Sequence, residues 1–178
     1  MKQDSKFDPK KHHRRSRNIR LEGYDYSSEG LYFITICVKN RKRLFGEIIN
    51  RELKKNGAGM MIEKWYYKLE SKFLGIKCHA MIVMPDHFHC IIELYGNGPS
   101  LQTVIHWFKT MTTNKYIRGV KQLGWCAFDG KLWQRGYYET ILRDERAYRI
   151  VSEYITNNSY RRSRVAVRRN PHRQRIIK

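Results

Sequence analysis

An α+β fold, built on a four-stranded antiparallel sheet with two helices on one face, is what the sequence predicts. Three observations lead there. Four segments rich in apolar, β-branched and aromatic residues read as strands. Two longer segments carry apolar residues at three- and four-residue spacing, the period of an amphipathic helix. The elements run in the order β-α-β-β-α-β-α, and a ferredoxin-like (RRM-like) sheet with one late additional helix uses all of them.

The first strand is Leu31-Tyr32-Phe33-Ile34-Thr35-Ile36-Cys37-Val38, followed by a basic turn, Lys39-Asn40-Arg41-Lys42-Arg43. Met61, Trp65, Leu69 and Phe73 recur every fourth residue, which predicts a helix over 58–72 that Gly75 ends. Strands over 76–84 and 87–94 flank Pro85-Asp86 and should pair as an antiparallel hairpin. Gly96-Asn97-Gly98-Pro99 breaks the chain. Ser100 is the expected N-cap of a second helix with Leu101, Val104, Ile105, Phe108 and Met111 on one side. Leu132 to Leu142 reads as the fourth strand, and Asp144 as the cap of a third helix over 145–157.

Length and charge bound the function. The 178 residues suit one domain with tails: a basic tail over 1–20, a domain over 21–160 and an Arg-rich tail over 161–178. Thirty-six Lys and Arg against sixteen Asp and Glu give a net charge of +20. Nucleic acid is the leading partner for such a balance, because each phosphate neutralised by a cation releases counterions. The two tails carry +6 and +8 of that charge, as solvated arms or as phosphate-tracking ones. Cys37, Cys78, Cys90 and Cys126 show no Cys-x-x-Cys spacing, and the first three lie in apolar runs; buried free thiols of a reducing compartment are expected. No secretory leader or 18-residue apolar run appears, so the expectation is a cytoplasmic, nucleoid-associated protein with no membrane partner. The phosphate-binding Gly-rich loop ending in Lys-Ser/Thr is absent from the sequence, which argues against ATP, and no nucleophile elbow supports serine hydrolysis.

The chemistry gathers at two places. In Met84-Pro85-Asp86-His87-Phe88-His89, strand alternation aims both histidines to one side and Phe88 to the other. Two imidazoles aimed together are half of a metal site; a merely exposed or hydrogen-bonded pair has the same spacing. On the third helix, Tyr154 and Asn158 stand four apart and share a face. A tyrosine is a possible covalent nucleophile, and an Asn carbonyl suits a hard divalent cation. An aromatic at helical spacing is as readily a packing residue. Candidate DNA contacts are Lys39 and Arg41 in the basic turn, Lys109, Lys115 and Arg118 on the second helix, Trp133-Gln134-Arg135, and Arg161 and Arg162 in the tail. The aromatics interleaved with these charges either stack unpaired bases or pack the core.

Together these pieces resemble the HUH single-tyrosine transposases, and among them the REP-associated tyrosine transposases, from about Tyr24 to Tyr160. Four stretches carry the resemblance: Val83-Met84-Pro85-Asp86-His87-Phe88-His89-Cys90-Ile91-Ile92, Leu132-Trp133-Gln134-Arg135-Gly136-Tyr137-Tyr138-Glu139, Ile141-Leu142-Arg143-Asp144-Glu145-Arg146, and Tyr154-Ile155-Thr156-Asn157-Asn158. One position departs from the family pattern: Ser159 stands where the family has proline after the asparagine.

The resemblance implies an HUH endonuclease fold whose C-terminal helix is catalytic. It implies Tyr154 as the nucleophile that attacks a single-stranded DNA phosphodiester, links to the 5′ phosphate and releases a 3′ hydroxyl. His87, His89 and Asn158 would hold Mg²⁺ or Mn²⁺ on the scissile phosphate. The partner would be a DNA hairpin or palindromic repeat, without ATP, and the chain would act as a monomer rather than a homodimer. Two rival readings stand beside it: a non-catalytic binder of hairpin or single-stranded nucleic acid, and a rolling-circle type initiator. Tyr137 or Tyr138 is the alternative nucleophile.

Overall fold

The structure, a computed structural model, describes residues 29–50 and 52–157. The chain forms β1 (Gly30–Cys37), β2 (Gly46–Ile49), β3 (Glu52–Lys55), α1 (Gly57–Lys72), β4 (Ile76–Met84), β5 (His87–Leu94), α2 (Leu101–Leu123), β6 (Tyr138–Leu142) and α3 (Glu145–Thr156). The main sheet has the order β4-β5-β1-β6, with every neighbouring pair antiparallel. The predicted α+β class is the observed one.

Side-chain alternation splits the sheet into two unlike faces. Tyr32, Ile34 and Ile36 of β1 and Phe88, Cys90, Ile92 and Leu94 of β5 point to one face. There they meet Ile62, Trp65, Tyr66 and Leu69 of α1 and Leu101, Val104, Ile105, Phe108 and Tyr116 of α2. The Tyr66 hydroxyl satisfies itself within this layer by donating to the Ile91 carbonyl at 2.6 Å. The other face carries Phe33 and Ile91, which pack with Leu142, Val151 and Ile155 as α3 lies across it. The sheet is thus sandwiched, with the histidines of β5 on the α3 side.

The helix boundaries follow from capping. Asn56, Ser100 and Asp144 each accept a hydrogen bond from the backbone N–H three residues on, satisfying one of the first-turn donors. α2 ends where Gly124 turns left-handed at φ 67°. α1 stops at Lys72, before the tight turn at Gly75, where a Cβ would lie 2.4 Å from the Tyr95 carbonyl oxygen.

Two expectations need correction. The fourth strand is five residues long, not eleven. Leu132 and Trp133 both pack into the core on the α1–α2 side, and two consecutive side chains on one side are incompatible with strand alternation. The segment touches β1 through a single bridge, Val38 to Trp133. The β2–β3 hairpin was not anticipated. Its strands are short and largely exposed, and Glu52-Leu53-Lys54-Lys55 offers one apolar residue, so it leaves no alternation to read. Among the described residues, no helix is long and apolar enough to cross a membrane. None of the four cysteines forms a disulfide; Cys37 and Cys90 are buried, Cys78 is half-buried and Cys126 is exposed. Both predicted tails lie outside the described residues.

Candidate active site

The site grows out of the β4–β5 turn. Pro85 and Asp86 are pinned by the loop after β1: Leu44 and Phe45 donate to the Pro85 carbonyl at 2.8 and 3.1 Å, and Val38 donates to the Asp86 carbonyl at 3.0 Å. His87 and His89 follow at once, opposite Cys37 and Thr35 of β1. Both imidazoles are buried, at 3% and 1% exposure, and their Nε2 atoms converge to 3.0 Å.

The proton positions follow from the partners. Asp86 Oδ1 lies 2.6 Å from His87 Nδ1, and Asp86 Oδ2 lies 3.0 Å from Arg41 Nε. A carboxylate can only accept, so beside a neutral His87 it holds the proton on Nδ1 and leaves Nε2 to present a lone pair. His89 Nδ1 is 2.8 Å from Thr35 Oγ1. A hydroxyl both donates and accepts, so Thr35 serves either tautomer of His89. In one, His89 Nε2–H fills the lone pair of His87; in the other, Thr35 accepts from Nδ1–H and both Nε2 atoms present lone pairs.

That second state fits a divalent cation. Two ligands of one octahedral ion at about 2.1 Å stand about 3 Å apart when adjacent, which matches the observed 3.0 Å. Among the described residues, no cluster of three or more His, Cys, Asp and Glu side chains stands ready for a metal ion. Asn158, expected as the third ligand, lies outside the described residues.

Tyr154 comes from the opposite layer. Val151 and Ile155 anchor α3 in the sheet, and Tyr154 beside them is half-buried against it. Its ring stands 5.7 Å from that of His89 and 6.2 Å from that of Phe33, edge-on to both, while Phe33 stacks on His89 at 5.4 Å. The predicted nucleophile and the predicted imidazole pair, remote in sequence, therefore meet on one sheet face. Tyr138, an alternative nucleophile, is the β6 partner of Thr35, whereas Tyr137 packs against the core of the other face. At the far end of α3, Tyr148 hydrogen-bonds His79 at 3.2 Å, and His79 in turn contacts Glu93 at 2.8 Å, fastening the helix to the sheet.

The expected DNA contacts disperse. Arg41, although 40% exposed, reaches back to the β4–β5 turn: besides Asp86 it donates to Cys37 Sγ at 2.9 Å. Lys109 is half-buried and donates to the carbonyls of Gln134, Arg135 and Gly136, at 2.6, 3.2 and 3.3 Å. Burial lowers its pKa. Trp133 is a core residue whose indole donates to Thr112 Oγ1 at 3.0 Å. Gln134 uses its backbone N–H on the Cys37 carbonyl. Lys115, poised over the Trp65 ring, and exposed Arg118 lie on α2, across the sheet from His87. Lys39 is half-buried and Arg135 exposed, while Arg161 and Arg162 lie outside the described residues. Sequence reasoning missed Thr35, whose only signal was a polar residue inside an apolar strand, and it read Asp86 only as a turn former.

The sequence model of the family described as "Transposase IS200 like" matches residues 27–158. An uncharacterised protein of Haemophilus influenzae is 35% identical over 175 residues, covering 86% of this chain and 92% of the relative. A second Haemophilus influenzae protein, provisionally described as a REP-associated tyrosine transposase, is 23% identical over 146 residues, covering 80% of this chain and 77% of the relative. Among solved structures, a REP-associated tyrosine transposase bound to a REP hairpin superposes with a TM-score of 0.58 at 20% identity, over 78% of this chain and 72% of that one.

Proposed function

The chain belongs to the IS200-like transposase family, and from that premise we propose that it is a single-strand DNA endonuclease and strand transferase of the REP-associated kind, acting at hairpin or palindromic repeats. The observation that carries this reading is the ring of Tyr154 set 5.7 Å from that of His89, beside two convergent imidazole Nε2 atoms. A non-catalytic binder has no need of that juxtaposition. The hairpin partner is carried over from the DNA-bound structural relative and from the strongly basic charge.

In the reaction, the Tyr154 phenolic oxygen attacks the scissile phosphorus. A P–O bond to tyrosine forms as the bond to the 3′ oxygen breaks, and the phenol gives up its proton while the departing 3′ oxygen takes one. The 5′ phosphate remains on the protein, so the diester energy is conserved for strand transfer. His87 and His89, with Asn158 as the expected third ligand, would hold Mg²⁺ or Mn²⁺. When bound, such an ion polarises a phosphoryl oxygen and stabilises the charge that develops there. The chain's own part is to fix both imidazoles through Asp86 and Thr35 and to hold Tyr154 on α3 above them.

The test is a denaturing gel with labelled single-stranded hairpin oligonucleotides and Mg²⁺ or Mn²⁺. Wild type should give an SDS-resistant adduct that vanishes on chelation. Tyr154→Phe should bind DNA but form none. An adduct from the Phe variant would overturn the nucleophile, and none from wild type across substrates and metals would favour the non-catalytic binder.

A further inference from the structure

We propose that Arg41 and Asp86 act as positioning residues that lock His87 in the Nδ1–H tautomer, so that its Nε2 lone pair is permanently aimed at His89. The proposal concerns the state of the protein before any metal arrives. Its consequence for metal affinity rests on the reading of His87 as a ligand.

Asn40 and Arg41 are consecutive non-glycine residues in the left-handed region, at φ 58° and 55°. That conformation is uncommon for a residue with a Cβ, and such positions persist only where the surroundings over-determine them. Here the surroundings are the bonds from Val38, Leu44 and Phe45 to the Pro85-Asp86 carbonyls, which close the loop over the β4–β5 turn. The strained turn aims one partly exposed side chain at the β4–β5 turn. Arg41 Nε meets Asp86 Oδ2 at 3.0 Å, and Arg41 Nη1 meets Cys37 Sγ at 2.9 Å.

Asp86 then divides its two oxygens between two partners. Oδ2 takes Arg41 and Oδ1 takes His87 Nδ1 at 2.6 Å, with the carboxylate side chain only 12% exposed. A turn staple requires the first contact alone. The second reaches the ring, and an acceptor that cannot donate leaves Nδ1 one role. Arg41 holds the other oxygen of that acceptor and so fixes its orientation. His89, by contrast, faces the hydroxyl of Thr35, which serves either tautomer. The pair is therefore asymmetric: His87 is preset, and His89 adapts.

The experiment uses the full chain labelled with ¹⁵N-histidine, without metal, at about pH 8, above the ordinary imidazole range. Long-range ¹H–¹⁵N correlation reads the tautomer of each ring. In wild type, His87 should show a protonated Nδ1 and an unprotonated Nε2. Asp86→Ala should move His87 toward a mixture, and Asp86→Asn, whose amide oxygen still accepts, should restore the wild-type pattern. Arg41→Gln should fall between. Electron paramagnetic resonance of free Mn²⁺ then gives affinity, expected to fall about 10- to 100-fold in Asp86→Ala. An unchanged His87 tautomer in Asp86→Ala overturns the proposal, and a changed tautomer with unchanged Mn²⁺ affinity overturns its consequence. A wild-type protein that binds no Mn²⁺ yet shows the Asp86-dependent tautomer contradicts the metal reading and supports the lock.

Discussion

Replacing Lys109 by Met discriminates two roles that its charge alone leaves open. If the ammonium is a DNA ligand, its loss weakens binding and leaves the fold intact. Its three carbonyl partners, on Gln134, Arg135 and Gly136, argue the other way. Charge-assisted hydrogen bonds contribute about 1.5–3 kcal/mol when well formed. Only the bond to Gln134, at 2.6 Å, is short; the other two share the same ammonium at 3.2 and 3.3 Å. Burial opposes the charge, as its lowered pKa records, so part of that gain is returned. A net loss of about 1–2 kcal/mol in Lys109→Met follows. For a domain of this size that is roughly 2–8 °C in Tm. Amide hydrogen exchange should accelerate over 132–137, where the carbonyls lose their clamp. Hairpin binding titrated across salt should keep its slope. A variant that melts within about 1 °C of wild type, while its salt slope drops by about 0.7 for a single-strand phosphate contact, would refute this reasoning.

Two further outcomes follow from the buried polar groups. Thr112→Val keeps the volume but leaves the Trp133 indole N–H without the oxygen it meets at 3.0 Å; urea melts should show a loss of about 1–3 kcal/mol, largely recovered by Thr112→Ser. Burial raises the pKa of the Cys90 thiol and the Tyr66 phenol and pushes Cys78 and Tyr116 up to about 12. Each of these groups stays neutral in the fold while its unfolded counterpart ionises. Their stabilisation is complete below the ordinary thiol and phenol values of 9.0 and 10.0, and it drains away as pH rises toward the folded values. Lys109, lowered by burial, works in the opposite sense, one group against four. Denaturant stability should therefore fall above about pH 9, by up to 1.4 kcal/mol per pH unit for each fully buried group. A flat profile from about pH 8.5 to 10.5 would count against that assignment.

What the sequence made legible tracks how local each signal was. α1, α2, β4, β5 and α3 were readable because a cap, a period or an uninterrupted apolar run marks each, and the bounds of β4 and β5 were read to the residue. The Trp133-Gln134-Arg135 segment was misread because its apolar residues suit a strand, whereas what decides it is an indole seeking Thr112 on α2 and a lysine one turn earlier capping its carbonyls. The site divided the same way. The pairing of His87 with His89 is a local alternation and was visible. The roles of Thr35, Asp86 and Arg41 depend on β1 lying beside β5 in one register, and nothing local announces them. Tyr154 was found through the resemblance, since helical spacing alone would equally have made it a packing residue.

β5 holds the two halves of this molecule together, and its register is the condition for both. Phe88, Cys90 and Ile92 fill the core between the sheet and the two long helices, while His87 and His89 occupy the alternate positions facing α3. A slip by one residue would bury imidazoles among apolar side chains and expose Phe88 at the site. The β4–β5 pairing is irregular, shifting between Cys78 and Met81, whereas β1 pairs with β5 in one continuous register from Gly30–Leu94 to Cys37–His87. The fault lies at the end remote from the histidines; from Met81 to Met84 the register runs unbroken into the turn. There three backbone bonds from the loop after β1 grip the Pro85 and Asp86 carbonyls. The loop that grips this turn is the same one that carries Arg41 to Asp86. Stability and chemistry are therefore coupled at that loop, and loosening it would disturb the imidazole pair before it disturbed the core.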